Sequence, residues 1–182
     1  MPQLITLFLA LMLQSCASIP TNTHTEFQRI ATGMGPEDMV LDTISGSKAR
    51  LLVSCNDHRL RGEAPNGGIY AIDLDADSMV SYKLDRKGEP EGFDFHPHGF
   101  DLIRQQGKVY LYIVSHDDKK DKHSVYKYEV GAKEITFVAT YQNPLMNSPN
   151  TVVALQNGGF YASNDQGKRG DVMALLFRAK TG

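Results

Sequence analysis

Gly35-Pro36-Glu37-Asp38, Phe95-His96-Pro97-His98-Gly99 and Asn147-Ser148-Pro149-Asn150 each head an apolar, strand-like run of this 182-residue chain. Sixty-one positions separate Glu37 from His98, and fifty-two separate His98 from Asn150. Side chains able to hold a metal or move a proton thus recur at a nearly regular interval. A repeat fold in which each unit delivers one residue to a shared centre accounts for that spacing. Periods of about 40–50 residues with four short strands each characterise the β-propeller.

The strand pattern follows the same period. A first unit reads as strands at Met39–Leu41, Arg50–Cys55, Gly68–Leu74 and Met79–Leu84, a second at Gly99–Arg104, Val109–Ser115, Ser124–Val130 and Glu134–Tyr141. These runs are rich in Val, Ile, Leu, Tyr and Phe and are separated by Gly, Asp, Asn or Lys clusters. A third unit opens with Thr151–Leu155 and Gly159–Ser163. The second strand of each unit also ends alike, in Cys55-Asn56-Asp57-His58, Ser115-His116-Asp117-Asp118 and Ser163-Asn164-Asp165-Gln166. The expected fold is all-β, a partial β-propeller over residues 34–182. Rings of this kind have about 4–8 blades, and at about 50–60 residues per unit this chain holds roughly two and a half to three. A partial ring leaves sheet edges open, so missing blades or another chain are expected to close it.

Hydrophobic residues make up 41% of the chain and charged residues 22%, a composition that can pack a core. The net charge of −2 offers no electrostatic case for binding nucleic acid. The dense run Asp117-Asp118-Lys119-Lys120-Asp121-Lys122-His123 mixes signs between two strands and reads as a solvated hairpin loop.

The N-terminus is a separate object. Leu4–Leu13 is apolar, too short to span a bilayer and of the length of a signal-peptide core. The following Leu13-Gln14-Ser15-Cys16-Ala17-Ser18 is similar to a bacterial lipoprotein processing site, with Cys16 as the lipidated residue. Residues 1–16 are therefore expected to be a signal peptide and 17–33 a linker. The protein is expected to be exported, to the bacterial periplasm or outer membrane, anchored through Cys16. That leaves Cys55 alone in a strand, where a buried, inert thiol is expected, with no disulfide framework.

Several motifs do not carry the chemistry they imitate. Asp73-Leu74-Asp75-Ala76-Asp77-Ser78 begins like a calcium-binding helix–loop–helix. It has Ser78 where the loop needs Gly and Leu84 where it needs Glu, so it reads as a strand end and turn. Gly33-Met34-Gly35 lacks the third Gly and the helix of a dinucleotide loop. His96, His98, His116 and His123 lack the helical spacing that zinc sites often use, and their strand-and-turn setting argues for separate roles.

Taken in order, Gly35-Pro36-Glu37-Asp38, Phe95-His96-Pro97-His98-Gly99, Val114-Ser115-His116-Asp117 and Phe160-Tyr161-Ala162-Ser163-Asn164-Asp165 resemble the paraoxonase/arylesterase family. Asn147-Ser148-Pro149-Asn150 is also similar to the Pro-Asn turn of the related gluconolactonase (senescence-marker-protein-like) propellers. The resemblance runs from Met34 to Arg178 and matches the N-terminal half of that family's six-bladed ring. It implies that Glu37 and Asn150 hold a catalytic calcium and that Asp38, with the backbone carbonyl of Phe100, holds a second, structural calcium. It implies that His98 is the general base and that His116 assists it. Thr151 stands where paraoxonases place an Asp on the structural ion, which puts the second site in doubt, and Gln166 stands where they commonly have a His.

The implied chemistry suits these residue types. Calcium takes about 6–8 oxygen ligands, which carboxylates and amides at strand ends can furnish. Imidazole is the side chain whose ordinary titration range lies near neutrality, and it can accept a proton from water attacking an ester or lactone. No serine nucleophile is required, and no G-x-S-x-G elbow occurs. The expected activity is calcium-dependent hydrolysis of lactones or aryl esters. Two alternatives stand beside it: a non-catalytic propeller segment serving as a binding or assembly surface, and a single-metal sugar-lactonase relative.

Overall fold

The computed structural model describes residues 27–46, 48–57, 67–117 and 122–165. Leu4–Leu13, Cys16 and Gln166 lie outside the described residues, as do most of the residues after Asn164. Three antiparallel sheets are stacked side by side, with no helix among the described residues. The first contains β1 (Pro36–Asp42), β2 (Arg50–Cys55), β3 (Gly68–Asp73) and β4 (Ser81–Lys83), in that order. The second runs from β6 (Pro97–Gln105) through β7 (Lys108–Asp117) and β8 (Lys122–Val130) to β9 (Glu134–Tyr141). A short strand, β5 (Asp85–Lys87), is added in parallel outside β9. The third pairs β10 (Pro149–Ala154) with β11 (Phe160–Asn164). Successive strands pair in order within each sheet, as in propeller blades, and the fold is a partial β-propeller.

Each blade is buried on the faces that meet its neighbours, so its strands alternate between two apolar sides. Leu52, Ile69 and Ala71 of blade one meet Phe100, Leu111, Ile113, Tyr126 and Tyr128 of blade two in the largest core. Tyr112, Val114 and Val125, on the opposite face of blade two, meet Val152 and Ala154 of blade three. The far face of blade one packs Val53, Cys55 and Ile72 under Ile30, Tyr70 and Met79.

The inner strands β1, β6 and β10 lie next to one another and share a defect. Pairing slips between Pro36 and Asp38, between Pro97 and Phe100, and between Pro149 and Thr151. Proline has no N–H to give the ladder and is tolerated as the first strand residue or at a bulge. Glu37, His98 and Asn150 each follow such a proline and fall in the slip, where a bulge re-aims the side chain. Immediately upstream, each blade closes with one backbone bond. Asn56 N–H donates to Gly35 O at 2.8 Å, His116 to His96 at 3.2 Å, and Asp165 to Ser148 at 3.0 Å. Gly35 sits at φ +60°, and a Cβ there would lie 2.2 Å from the Asn56 carbonyl, so the first closure requires glycine.

Two sequence expectations change here. Met79–Leu84 shortens to Ser81–Lys83, because only Tyr70–Ile72 of β3 is left to pair with it. Asp85–Lys87, polar and unassigned in the sequence, becomes β5 because the open edge of β9 offers it Glu134–Thr136 as partners. β5 covers that part of the β9 edge.

Blades one and two are also joined far along the sequence. Arg50, buried on β2, pairs with buried Asp42 at 2.9 Å. It donates to Ser45 Oγ and to Gly131 O, each at 2.9 Å, and to the Ala132 carbonyl in the β8–β9 turn. Burial pushes the Asp42 carboxyl up, but hydrogen bonds from Ser45, Arg50 and the Ile44 amide outweigh it and hold the group below its ordinary range.

Candidate functional site

The three bulges bring Glu37, His98 and Asn150 together. His98 Nε2 lies 2.7 Å from Asn150 Oδ1, and His98 Nδ1 lies 3.2 Å from Glu37 Oε2. One imidazole of blade two is thus flanked by an oxygen from blade one and an oxygen from blade three. The His98 and Glu37 side chains retain about a fifth of their exposure, so the group is reachable from solvent. Ser54, fully buried on β2, locks the approach. Its hydroxyl donates to the His98 carbonyl at 2.7 Å and accepts the Asp38 N–H at 3.1 Å. At Gly99 a Cβ would lie 2.3 Å from the Asn150 carbonyl, so the close approach of β6 to β10 beside His98 needs glycine.

His116, at the end of β7, stands next to His98 with ring centroids 5.0 Å apart. Its Nε2 lies 2.6 Å from the Pro149 carbonyl, which can only accept, so that nitrogen carries a proton. His116 is therefore held by the same proline bulge that presents Asn150. His123, across the β7–β8 ladder, packs edge-on against His116 at 4.8 Å. Three of the four histidines among the described residues thus form one row, which strand spacing did not reveal. His96 stands apart, with Nδ1 3.2 Å from Asn56 Oδ1.

Glu37 and Asn150 are hard oxygen donors flanking one imidazole, and this donor chemistry fits one calcium ion. Asp38 is engaged with backbone amides. Its Oδ1 accepts the Met39 N–H at 2.8 Å and its Oδ2 the Phe100 N–H at 3.1 Å. Asp101 does the same one blade later, taking Leu102 N–H on Oδ1 and Ala154 N–H on Oδ2, both at 2.8 Å. Each carboxylate ties its own strand to the next inner strand. The Phe100 amide points at Asp38, and in an extended strand the carbonyl of the same residue faces the same edge. Among the described residues no three His, Cys, Asp or Glu side chains form a metal cage.

Sequence reading passed over Ser54 and Asp101. Ser54 and Asp101 carry no local signal for their cross-blade roles, since the partners on the next inner strand are 44 and 53 positions away. The recurrence of Pro36, Pro97 and Pro149 before the three aligned residues was the available clue.

Several known proteins are similar to part of this chain. Rabbit (Oryctolagus cuniculus) serum paraoxonase/lactonase 3 is 31% identical over 111 residues, which is 60% of this chain and 31% of the relative. Human (Homo sapiens) serum paraoxonase/arylesterase 2 is 30% identical over 137 residues, 72% of this chain and 37% of the relative. Chicken (Gallus gallus) serum paraoxonase/arylesterase 2 is 31% identical over 112 residues, 58% of this chain and 31% of the relative. The chain spans about a third of the length of the curated relatives it matches. The arylesterase family model matches residues 32–176, from just ahead of the first bulge to beyond β11, and on that match the chain belongs to the arylesterase family.

Proposed function

We propose that this chain forms part of a calcium-dependent hydrolase of lactones or aryl esters. The observation that carries the reading is the seating of His98 between Glu37 and Asn150, each delivered by an equivalent bulge in a successive blade. Family membership and the paraoxonase, arylesterase and lactonase relatives support ester-bond hydrolysis as the reaction class. Glu37 and Asn150 would hold the ion. When bound, calcium supplies polarisation of the ester carbonyl and stabilisation of the oxyanion that develops there.

The remaining work falls to the chain's own side chains. An imidazole flanked by two oxygens can hold a proton and pass one on, and His98 would take the proton of the attacking water. His116 contacts the His98 ring and is fixed by the Pro149 carbonyl, so it acts as a positioning residue. Asp38 and Ser54 hold β1 and β6 in register and so set the distance between Glu37 and His98.

The test is hydrolysis of a lactone and of an aryl ester by protein carrying its complete ring, with calcium and with chelator. Glu37→Gln and His98→Gln should each lower turnover by about 10²-fold or more. Turnover unaffected by chelator and by both substitutions would overturn the reading. A single-metal sugar-lactonase relative is the second reading, favoured by Thr151 and by the Asp38 carboxylate being spent on backbone amides.

Export and anchoring through Cys16 belong to the same proposal. Leu4–Leu13 has the length and apolarity of a signal core, and Cys16 follows it. Cys16→Ser should move the protein from membranes to the soluble exported fraction. An unmodified N-terminus downstream of Cys16 would refute the anchor.

A further inference from the structure

The ring of His116 must face His98 at a set angle for the two imidazoles to work together, and hydrogen bonding does not by itself set that angle. The His116 backbone N–H donates to His96 O at 3.2 Å, and its Nε2–H donates to Pro149 O at 2.6 Å. The χ2 torsion of a histidine is soft, with a broad range of ring orientations. A hydrogen bond at one nitrogen fixes that atom, and the rings packed against the imidazole set its plane.

Those rings come from the two strands that flank β7, which lies between β6 and β8 in its sheet. His98, on β6, has its ring centroid 5.0 Å from that of His116, with the planes 55° apart. His123, on β8, stands directly opposite His116 in the β7–β8 ladder. Side chains directly opposite in a ladder are close enough for one ring to reach the next. The two centroids are 4.8 Å apart and the planes meet at 71°, the edge-on arrangement that ring quadrupoles favour.

The polar atoms of His123 point to the same conclusion. Its Nδ1 is buried and has no hydrogen-bond partner among the described residues. A buried ring nitrogen left unpaired costs stability, so a hydrogen bond at that atom does not account for where the ring sits. Its contact with His116 does.

We propose that His123 is a positioning residue, whose ring sets the plane of the His116 imidazole against His98. Its effect on turnover rests on the hydrolase reading, whereas the placement of the His116 ring rests on the packing alone. His123 touches neither Glu37 nor Asn150 in this arrangement, and it acts through His116.

The test uses protein carrying its complete ring and reads His116 in two ways. The first is the proton NMR signal of the His116 ring N–H that donates to Pro149 O, assigned by its absence in His116→Gln. His123→Val and His123→Thr keep the strand propensity of β8 and remove the ring, whereas His123→Phe keeps a ring there. Circular dichroism should show the β fold in all three. The signal should exchange slowly in the wild type and in His123→Phe, and should broaden or vanish in the other two. The second readout is turnover of a lactone or an aryl ester. His123→Val and His123→Thr should lower kcat by about 10- to 100-fold with KM near the wild-type value. His123→Phe should recover most of that kcat. A wild-type N–H signal and kcat in the valine and threonine variants would overturn the proposal, as would a phenylalanine variant as impaired as they are. If the wild type hydrolyses neither substrate, the hydrolase reading fails, and the N–H signal alone decides whether His123 places His116.

Discussion

His98 and Asn150, 52 positions apart in sequence, meet at 2.7 Å across the gap between two blades. Glu37 approaches the other nitrogen of the same ring at 3.2 Å. The contact depends on two bulges and one glycine, so its disruption should change ion binding before it changes the fold. Calcium titration followed by thermal melting should show a rise in Tm that is lost in Glu37→Gln and in Asn150→Leu. Two side-chain donors fall well short of the about 6–8 that calcium takes, so the affinity of this chain alone should be on the order of millimolar or weaker. Tight calcium binding by the 182-residue chain would contradict this account.

Asp38 and Asp101 make the same pair of backbone bonds in successive interfaces. Asp38→Asn and Asp101→Asn each turn an amide NH2 toward a backbone N–H. Each should cost about 1–3 kcal/mol of stability by denaturant unfolding. The calcium response should be the same in both. A selective loss of calcium binding in Asp38→Asn would show that Asp38 also holds an ion.

Ser54→Ala removes a buried hydroxyl that bridges the Asp38 amide and the His98 carbonyl. A loss of about 1–3 kcal/mol is expected, with turnover of the complete ring falling as well because His98 is no longer held against β1. Ser54→Thr keeps the hydroxyl and should recover part of the turnover. Stability and turnover both unchanged in Ser54→Ala would remove its positioning role.

The Asp42–Arg50 pair should give the fold an acid-sensitive step. The Asp42 carboxyl is held below its ordinary value, so the folded state binds its proton more weakly than the unfolded chain does. Its stabilisation is present above the unfolded value of about 3.9 and is lost as pH falls through the lower folded value. Arg50→Ala should cost about 3–5 kcal/mol, since it strands a buried carboxylate. Unfolding midpoints measured between neutral and acid pH should show the wild type losing stability at the acid end, and Arg50→Ala losing less of it.

Cys55 is buried, and that burial pushes its thiol above the ordinary range. Alkylation near neutral pH should therefore be slow in the folded protein and fast in denaturant. Rapid labelling without denaturant would mean that the far face of blade one opens readily.

Much of the blade pattern was legible because it is local. Arg50–Cys55 and Glu134–Tyr141 show their β-branched and aromatic content, and each strand coincides with its sequence run. The run from Asp73 that begins like a calcium-binding helix–loop–helix is a strand end and turn, and its lack of the required Gly and Glu is also a local fact. Glu37, His98 and Asn150 could be aligned because the repeat places them at strand starts. Their meeting at one imidazole needed the stacking of three sheets and a bulge in each.

Other features had no sequence signature at all. β5 is a strand only because β9 has an open edge to pair with it. The bond from the Phe100 amide to Asp38, its counterpart from Ala154 to Asp101 and the Arg50 link to Gly131 join positions 53 to 81 apart. Hydrophobic alternation and turn chemistry are properties of neighbouring residues, so the sequence by itself determined the blades and the order of their site residues. Which oxygens flank His98, and which carboxylate is spent on backbone amides, depends on distances between strands far apart in the chain. Only tertiary packing decides those distances.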